Sequence, residues 1–306
     1  MDNPYNASRA FKLIYSPKYH VNIGEHVFPT EKYHLIYKRL LRESLFAESD
    51  IVFPEPAKVE DLLLVHTKTY VENLLNGTLS TYDIMRLELP FSKELVEVSR
   101  ICVDGTISCL RHAAEDGMSA HLGGGFHHAF PDHGEGFCVF NDIAIGIRKV
   151  QEEGLIRRAL IVDCDLHHGN GTAFTFADDK DVFTFSIHQE NNYPAVKPPS
   201  DIDVGLDDGA GDKEYLEALN RHIPVIIKEF RPQLAVYVAG ADPYKNDQLG
   251  GLALTINGLK ARDELVFKLC AANNIPVAAV LAGGYAVNLQ DTVTIHYNMI
   301  KTAKEL

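Results

Sequence analysis

Short β-rich runs alternate along this chain with longer segments of helical period, and several of the runs are apolar on consecutive rather than alternate residues. Consecutive apolar residues leave neither face of a strand for water, so such strands belong inside a mostly parallel sheet covered by helices. The runs are FKLIY (11–15), SAHL (119–122), RALIVD (158–163), VFTFSIH (182–188), QLAVYVAG (233–240) and VAAVLAG (277–283). Helical period marks 31–46, 60–76, 92–116, 141–153, 212–229, 258–273 and 288–305. No internal repeat and no Pro/Gly/Ser-rich linker divides this pattern, so it predicts one α/β domain over residues 1–306. The stretch 189–211 is the least regular, and a loop of that length inside a compact domain is often functional.

Composition narrows the class. No stretch approaches the ~20 apolar residues of a membrane span. The start, Met1-Asp2-Asn3-Pro4-Tyr5, lacks the charged-then-apolar layout of a signal peptide, so a soluble, cytoplasmic protein is expected. The five cysteines (Cys102, Cys109, Cys138, Cys164, Cys270) are scattered and never spaced CxxC, which points to core thiols rather than disulfides or a cysteine-zinc knot. A net charge of −13 without a compensating basic run argues against direct nucleic-acid binding and suits cationic partners such as lysine-rich peptides or polyamines.

Ligands of open α/β sheets bind beyond the carboxyl ends of the strands. Four clusters of chemically unusual residues fall at such ends: GGGFHH (123–128) after SAHL, DCDLHHGNG (163–171) closing RALIVD, AGADP (239–243) after LAVYV, and AGGY (282–285) after VAAVL. A parallel sheet brings these loops to one edge. Asp165 and His167, two apart on an extended strand end, project to one side and can share a metal ion. Asp242 would supply a third ligand, leaving a fourth position for water or substrate as in catalytic zinc sites. An isolated DxH more often caps a turn or helix. The tandem His127-His128 and the Asp242 and Tyr285 loops at the same edge tip the balance to metal chemistry. The three glycines before the histidines allow a sharp turn and close approach to a ligand. The segment matches neither GxxxxGK[ST] nor GxGxxG, so a phosphate loop is not indicated.

The segments GGGFHH (123–128), GFCVFND (136–142), DCDLHHGNGT (163–172), SIH (186–188), GADP (240–243) and GGY (283–285), taken together and in order, resemble the zinc-dependent histone deacetylase family. That family includes acetylpolyamine amidohydrolases and bacterial acetoin-utilisation proteins. GGGFHH, GADPYKNDQLGGL and EHVFPTEKY (25–33) look most like its class IV branch and bacterial relatives. The resemblance implies the arginase/deacetylase fold, a central eight-stranded parallel sheet flanked by helices. It also implies a zinc-dependent deacylase acting on acyl-lysine in proteins or on a small acylated amine, with a linear amide as the bond broken. By motif position, Asp165, His167 and Asp242 would bind one Zn2+ and Tyr285 would donate its hydroxyl to the oxyanion. His127 would be oriented by Asp163 and His128, the general base and acid, by Asn170. Asn170 departs from the nuclear class I pattern, where an aspartate stands. An amide orients the imidazole without stabilising its charged form as a carboxylate does, so a less basic His128 is expected.

The resemblance further places the acyl-lysine channel at Gly136, Phe137 and Tyr193, with Leu249 at the rim where polyamine-preferring relatives carry an acidic residue, and Gly284 beside Tyr285. A structural K+ would sit on Asp163, Asp165, His167, Ser186 and Ile187, largely through backbone carbonyls. A two-manganese ureohydrolase on the same fold needs more carboxylates than are present, since Gly169 follows His167 at two residues and Gly240 and Tyr244 flank Asp242 at two residues. A non-catalytic acyl-lysine reader would not need the complete proton-transfer set. Of the other histidines, His66 is expected as a structural helix residue, His20, His26 and His34 as surface or loop residues, and His188 in strand-end packing or the pocket wall.

Overall fold

The computed structural model describes residues 11–306. The expectations placed on Met1–Tyr5 lie outside the described residues. Among those described, no helix is long and apolar enough to cross a membrane.

Eight strands form one sheet in the order β2-β1-β3-β8-β7-β4-β5-β6, every neighbouring pair parallel. The strands are β1 (Lys12–Ile14), β2 (Ile51–Val52), β3 (Met118–His121), β4 (Ala159–Asp163), β5 (Val182–Gln189), β6 (Ile202–Leu206), β7 (Leu234–Val238) and β8 (Val277–Val280). The consecutive apolar residues of β4, β7 and β8 are buried throughout, as burial on both faces requires. The helices are α1 (Glu31–Arg42), α2 (Val59–Leu62), α3 (Lys68–Asn76), α4 (Thr81–Leu87), α5 (Lys93–Asp116), α6 (Asp142–Glu152), α7 (Asn170–Phe176), α8 (Asp212–Phe230), α9 (Ile256–Ala272) and α10 (Leu289–Glu305). Their starts follow local chemistry: Ser92 accepts from Leu95 N to cap α5, Asn141 from Ala144 N to cap α6, and Thr255 from Gly258 N to cap α9. Gly117 ends α5 in the left-handed region, turning the chain directly into β3.

Two strands, β2 and β6, were not foreseen. β2 is only two residues of the short run IVF (51–53), and β6 carries Asp203 and Gly205 in an edge strand with no fully buried residue, so β6 shows no apolar run. β6 lies within the stretch expected to be irregular. The expected helix 60–76 is broken into α2 and α3, because Thr67 caps a new helix by accepting from Tyr70 N. His66 therefore lies in the turn between helices and not within one. It is buried, and its Nε2 accepts from Asn141 N at 3.0 Å. The short α4 and α7 were also missed. Ser80 and Asp83 form a capping box for α4, while α7, of sequence NGTAFTF, has little intrinsic helix preference.

Candidate active site

The four strands that carry the singled-out clusters, β3, β8, β7 and β4, are consecutive neighbours in the middle of the sheet, so their C-terminal loops meet at one edge. One ligand atom each from Asp165, His167 and Asp242 lies within 4.8 Å of the others, and all three side chains are buried. Backbone donors hold two of them in place. Asp165 accepts from His167 N at 2.9 Å on Oδ1 and from Gly283 N at 2.8 Å on Oδ2, and Asp242 accepts from Leu166 N at 2.9 Å on Oδ1.

The fit of this trio to a cation can be tested on its own chemistry. Asp242 Oδ2 is buried and accepts no hydrogen bond; His167 Nδ1, at 3.3 Å, makes only an ion-pair approach. Burial and the adjacent Asp165 carboxylate push the Asp242 carboxyl up. His167, although burial opposes its charged form, is pushed up by Asp165 and Asp242. Two buried carboxylates and an imidazole with an orphaned oxygen want positive charge between them, and a divalent ion supplies it. A Cβ on Gly240 would lie 2.5 Å from Asp165 Oδ2 and 2.7 Å from Asp242 Oδ1, so the close backbone approach at this glycine is what leaves room for both carboxylates. The residues present fit a mononuclear ion.

The tandem histidines stand beside this trio, with His127 Nε2 3.1 Å from His128 Nε2 and 3.8 Å from Asp165 Oδ1. His127 Nδ1 meets Asp163 Oδ2 at 2.7 Å, and His128 Nδ1 meets Asn170 Oδ1 at 2.7 Å. The two imidazoles are driven apart in basicity. Burial works against a charged His127, but the Asp163 and Asp165 carboxylates outweigh it and carry it up to about 9. His128 is pushed well down, first by burial and then by the neighbouring His127 and His167, with the Asn170 amide opposing only weakly. Since Asn170 Oδ1 can only accept, it keeps the proton of a neutral His128 on Nδ1 and leaves the lone pair on Nε2, facing the site.

Tyr285 is buried, and its backbone N–H donates to Asp247 Oδ2 at 2.7 Å. Among the described residues its hydroxyl has no hydrogen-bond partner. Its ring packs 6.5 Å from that of His167 and 6.0 Å from that of Phe137. Beneath it lies Lys32, fully buried, whose Nζ donates to Ala282 O at 2.8 Å and stands 5.7 Å from the Tyr285 ring centre. Burial, against the pull of Asp242, Asp165 and Asp247, lowers this ammonium to about 8.

Gly136, Phe137, Tyr193 and Leu249 line one funnel together with His128, His167 and Tyr285, joined by Glu88 and Asn192. Phe137 adopts a positive φ of 66°, a conformation costly for a side chain this large, which turns its ring to the funnel beside Phe28 and His26. Gly284 is not part of this lining. A Cβ there would press on Thr292 and Ala241, behind the site. Asp163 pairs in register with Ser186 across β4 and β5, so these two of the residues expected around a K+ adjoin. Ser186 Oγ bonds His188 Nδ1 at 2.9 Å, which places His188 in strand-end packing. His26, which reaches Glu88 O at 3.0 Å and stacks edge-on with Phe137, is a loop residue at the rim.

Sequence reasoning missed Glu135, Asp247 and Lys32. Glu135 accepts from Asn170 Nδ2 at 2.7 Å, and Asp247 also takes Leu249 N at 2.9 Å. The position of Glu135, just before GFCVFND, was the available signal.

The family described as histone deacetylase domain matches residues 26–300. An uncharacterized protein of Picosynechococcus sp. is 41% identical over 297 residues, covering 97% of this chain and 99% of that protein. Histone deacetylase 2 of Arabidopsis thaliana is 32% identical over 286 residues, covering 89% of this chain and 74% of the relative. Among solved structures, an HDAC homolog from Aquifex aeolicus superposes with a TM-score of 0.80 at 23% identity, covering 94% of this chain and 82% of that one. With its all-parallel eight-stranded sheet in the arginase/deacetylase arrangement, the chain belongs to the histone deacetylase family.

Proposed function

We propose that the chain is a zinc-dependent deacylase that hydrolyses the amide of acyl-lysine in proteins. The observation that carries this reading is the meeting of Asp165, His167 and Asp242 within 4.8 Å, beside two imidazoles whose Nε2 atoms are 3.1 Å apart. A divalent ion bound by the trio supplies Lewis acidity, polarising the acyl carbonyl and lowering the pKa of water from about 15.7 towards ~7. Asp/His/Asp sites also accept Fe(II) or Co(II), and zinc is the reading adopted here on family grounds.

The chain's own residues do the rest. His128, held by Asn170 with its lone pair on Nε2, takes the proton of the attacking water and later delivers it to the departing amine nitrogen, which is a poor leaving group until protonated. His127, tied to Asp163, holds the water and offsets developing negative charge. The unpartnered hydroxyl of Tyr285 donates to the carbonyl oxygen as it becomes an oxyanion. Gly136, Phe137, Tyr193 and Leu249 form the walls along which the apolar stem of an acyl-lysine passes. An apolar Leu249 in place of an acid favours a protein substrate over a polyamine. We extend the reading to a structural K+ on Asp163, Asp165, His167, Ser186 and Ile187, supported by the adjoining register of β4 and β5.

The test is turnover of acyl-lysine peptides, from acetyl to long-chain, and of acetylated polyamines, by zinc-loaded protein with and without chelator. Chelator-sensitive hydrolysis of the peptides is expected. Faster turnover of polyamines would shift the substrate to small amines, and no chelator-sensitive turnover of any substrate would leave an acyl-lysine reader.

A further inference from the structure

Behind the His128–Asn170 hydrogen bond stands a carboxylate that the proton-transfer set does not include. Asn170 presents Oδ1 to His128 Nδ1 at 2.7 Å and donates Nδ2 to Glu135 Oε1, also at 2.7 Å. The other oxygen of Glu135 accepts from Arg86 Nη2 at 3.0 Å, and Arg86 in turn touches His133. Burial alone would raise the Glu135 carboxyl, but the hydrogen bonds from Asn170 and Arg86, with His133 and Tyr193 close by, outweigh it and bring it down to about 2. At neutral pH Glu135 is therefore ionised and can only accept.

This matters because an amide has two ends of nearly the same shape. With oxygen towards the imidazole, His128 carries its proton on Nδ1 and has a free lone pair on Nε2. With the NH2 group towards it, the lone pair moves to Nδ1, and Nε2 is protonated and useless as a base. An aspartate at this place has no such ambiguity. An acceptor-only partner behind Asn170 removes it, since only the NH2 end can face Glu135.

We propose that Glu135 is a positioning residue for proton transfer: it fixes the orientation of the Asn170 amide and, through it, the tautomer of His128. The inference rests on the reading of His128 as general base. Glu135, brought to the site by the loop between His128 and GFCVFND and pinned by Arg86 at the end of α4, thus completes a relay of three side chains.

The test is a double-mutant cycle on zinc-loaded protein, comparing the wild type, Glu135→Gln, Asn170→Asp and the double variant. Glutamine has the shape of glutamate but can present either end to Asn170. In the Asn170 background, Glu135→Gln is expected to lower kcat by about 10-fold or more with KM little changed, in the range of lost supporting hydrogen bonds. In the Asn170→Asp background the same change should leave kcat unchanged or raise it, because residue 170 no longer has an orientation to fix and two facing carboxylates are relieved. A merely structural role would give equal losses in both backgrounds, and that result overturns the proposal. The His128 ring tautomer, read by long-range 15N–1H correlation, should be Nδ1–H in the wild type and mixed in Glu135→Gln; an unchanged tautomer also overturns it. This readout needs no turnover. If the wild type proved inactive on every substrate, the functional reading would fall while the tautomer still decided the role of Glu135.

Discussion

Gly283 donates its backbone N–H to Oδ2 of Asp165 at 2.8 Å across a separation of 118 residues, so the loop that carries Tyr285 is anchored directly on a carboxylate of the candidate metal trio. The contact exists because β8 and β7 are neighbours and β7 adjoins β4. It also requires glycine. A Cβ at this position would lie 2.7 Å from Asp165 Oδ2 and closer still to Asp242 Oδ2. Gly283→Ala is therefore expected to displace both carboxylates and weaken divalent-ion binding by the trio by about 10-fold or more, the scale seen when supporting contacts of a metal site are lost. Competition with a chromophoric chelator, on protein whose circular dichroism is unchanged, measures this. Wild-type affinity in the variant would mean the carboxylates do not hold the ion.

Tyr285→Phe removes a hydroxyl that has no partner within the described part of the protein, so little stability should be lost. If that hydroxyl meets the oxyanion, kcat should fall by about 100- to 1,000-fold with KM little altered, as on losing one oxyanion donor. Steady-state kinetics and a melting curve on the same preparation separate the two effects.

Asn170→Asp tests the charge at the far side of His128. A carboxylate 2.7 Å from Nδ1 stabilises the imidazolium as the amide does not, so the pKa of His128 should rise. The acidic limb of the kcat/KM profile then moves upward in pH. The new carboxylate also faces Glu135, whose Oε1 is 2.7 Å from the present amide nitrogen, so stability is expected to fall as well. An unmoved acidic limb would argue against the His128–Asn170 pairing in turnover.

Acid should unfold this protein partly through its buried histidines. His121 is fully buried between the Tyr19 hydroxyl at 2.7 Å and the Thr106 hydroxyl at 3.0 Å, and burial lowers it to about 3 from an ordinary value of 6.5. Between those values the unfolded chain binds a proton that the folded chain refuses. Stability from this group is thus complete above pH 6.5 and is lost as pH falls towards 3, at up to about 1.4 kcal/mol per pH unit. His66, lowered mainly by burial to about 4, adds to the same slope. His121→Gln should be less stable at pH 7 but show a shallower decline between pH 6.5 and 4.5, followed by urea unfolding at each pH. An identical slope would show that His121 is not the group responsible.

Read residue by residue, the sequence already held the parallel sheet and the edge at which the site lies. Consecutive apolar residues in LIV, LAVYV and VAAV cannot face water, and unusual residues gathered just beyond them. Local order alone thus determined which loops carry Asp165, His167, Asp242, His127, His128 and Tyr285. The edge strand β6 left no such mark, because a strand that buries little needs no apolar run, and β2 is too short to stand out as one. What only the tertiary structure decided was which side chains stand behind the first row. Glu135 meets Asn170, Asp247 meets Tyr285 and Lys32 sits beneath that ring, each pair joined across long stretches of chain. A hydrogen bond or buried ammonium of this kind has no period and no spacing. It depends on the three-dimensional meeting of loops, and the exclusion of water there is what gives each contact its strength.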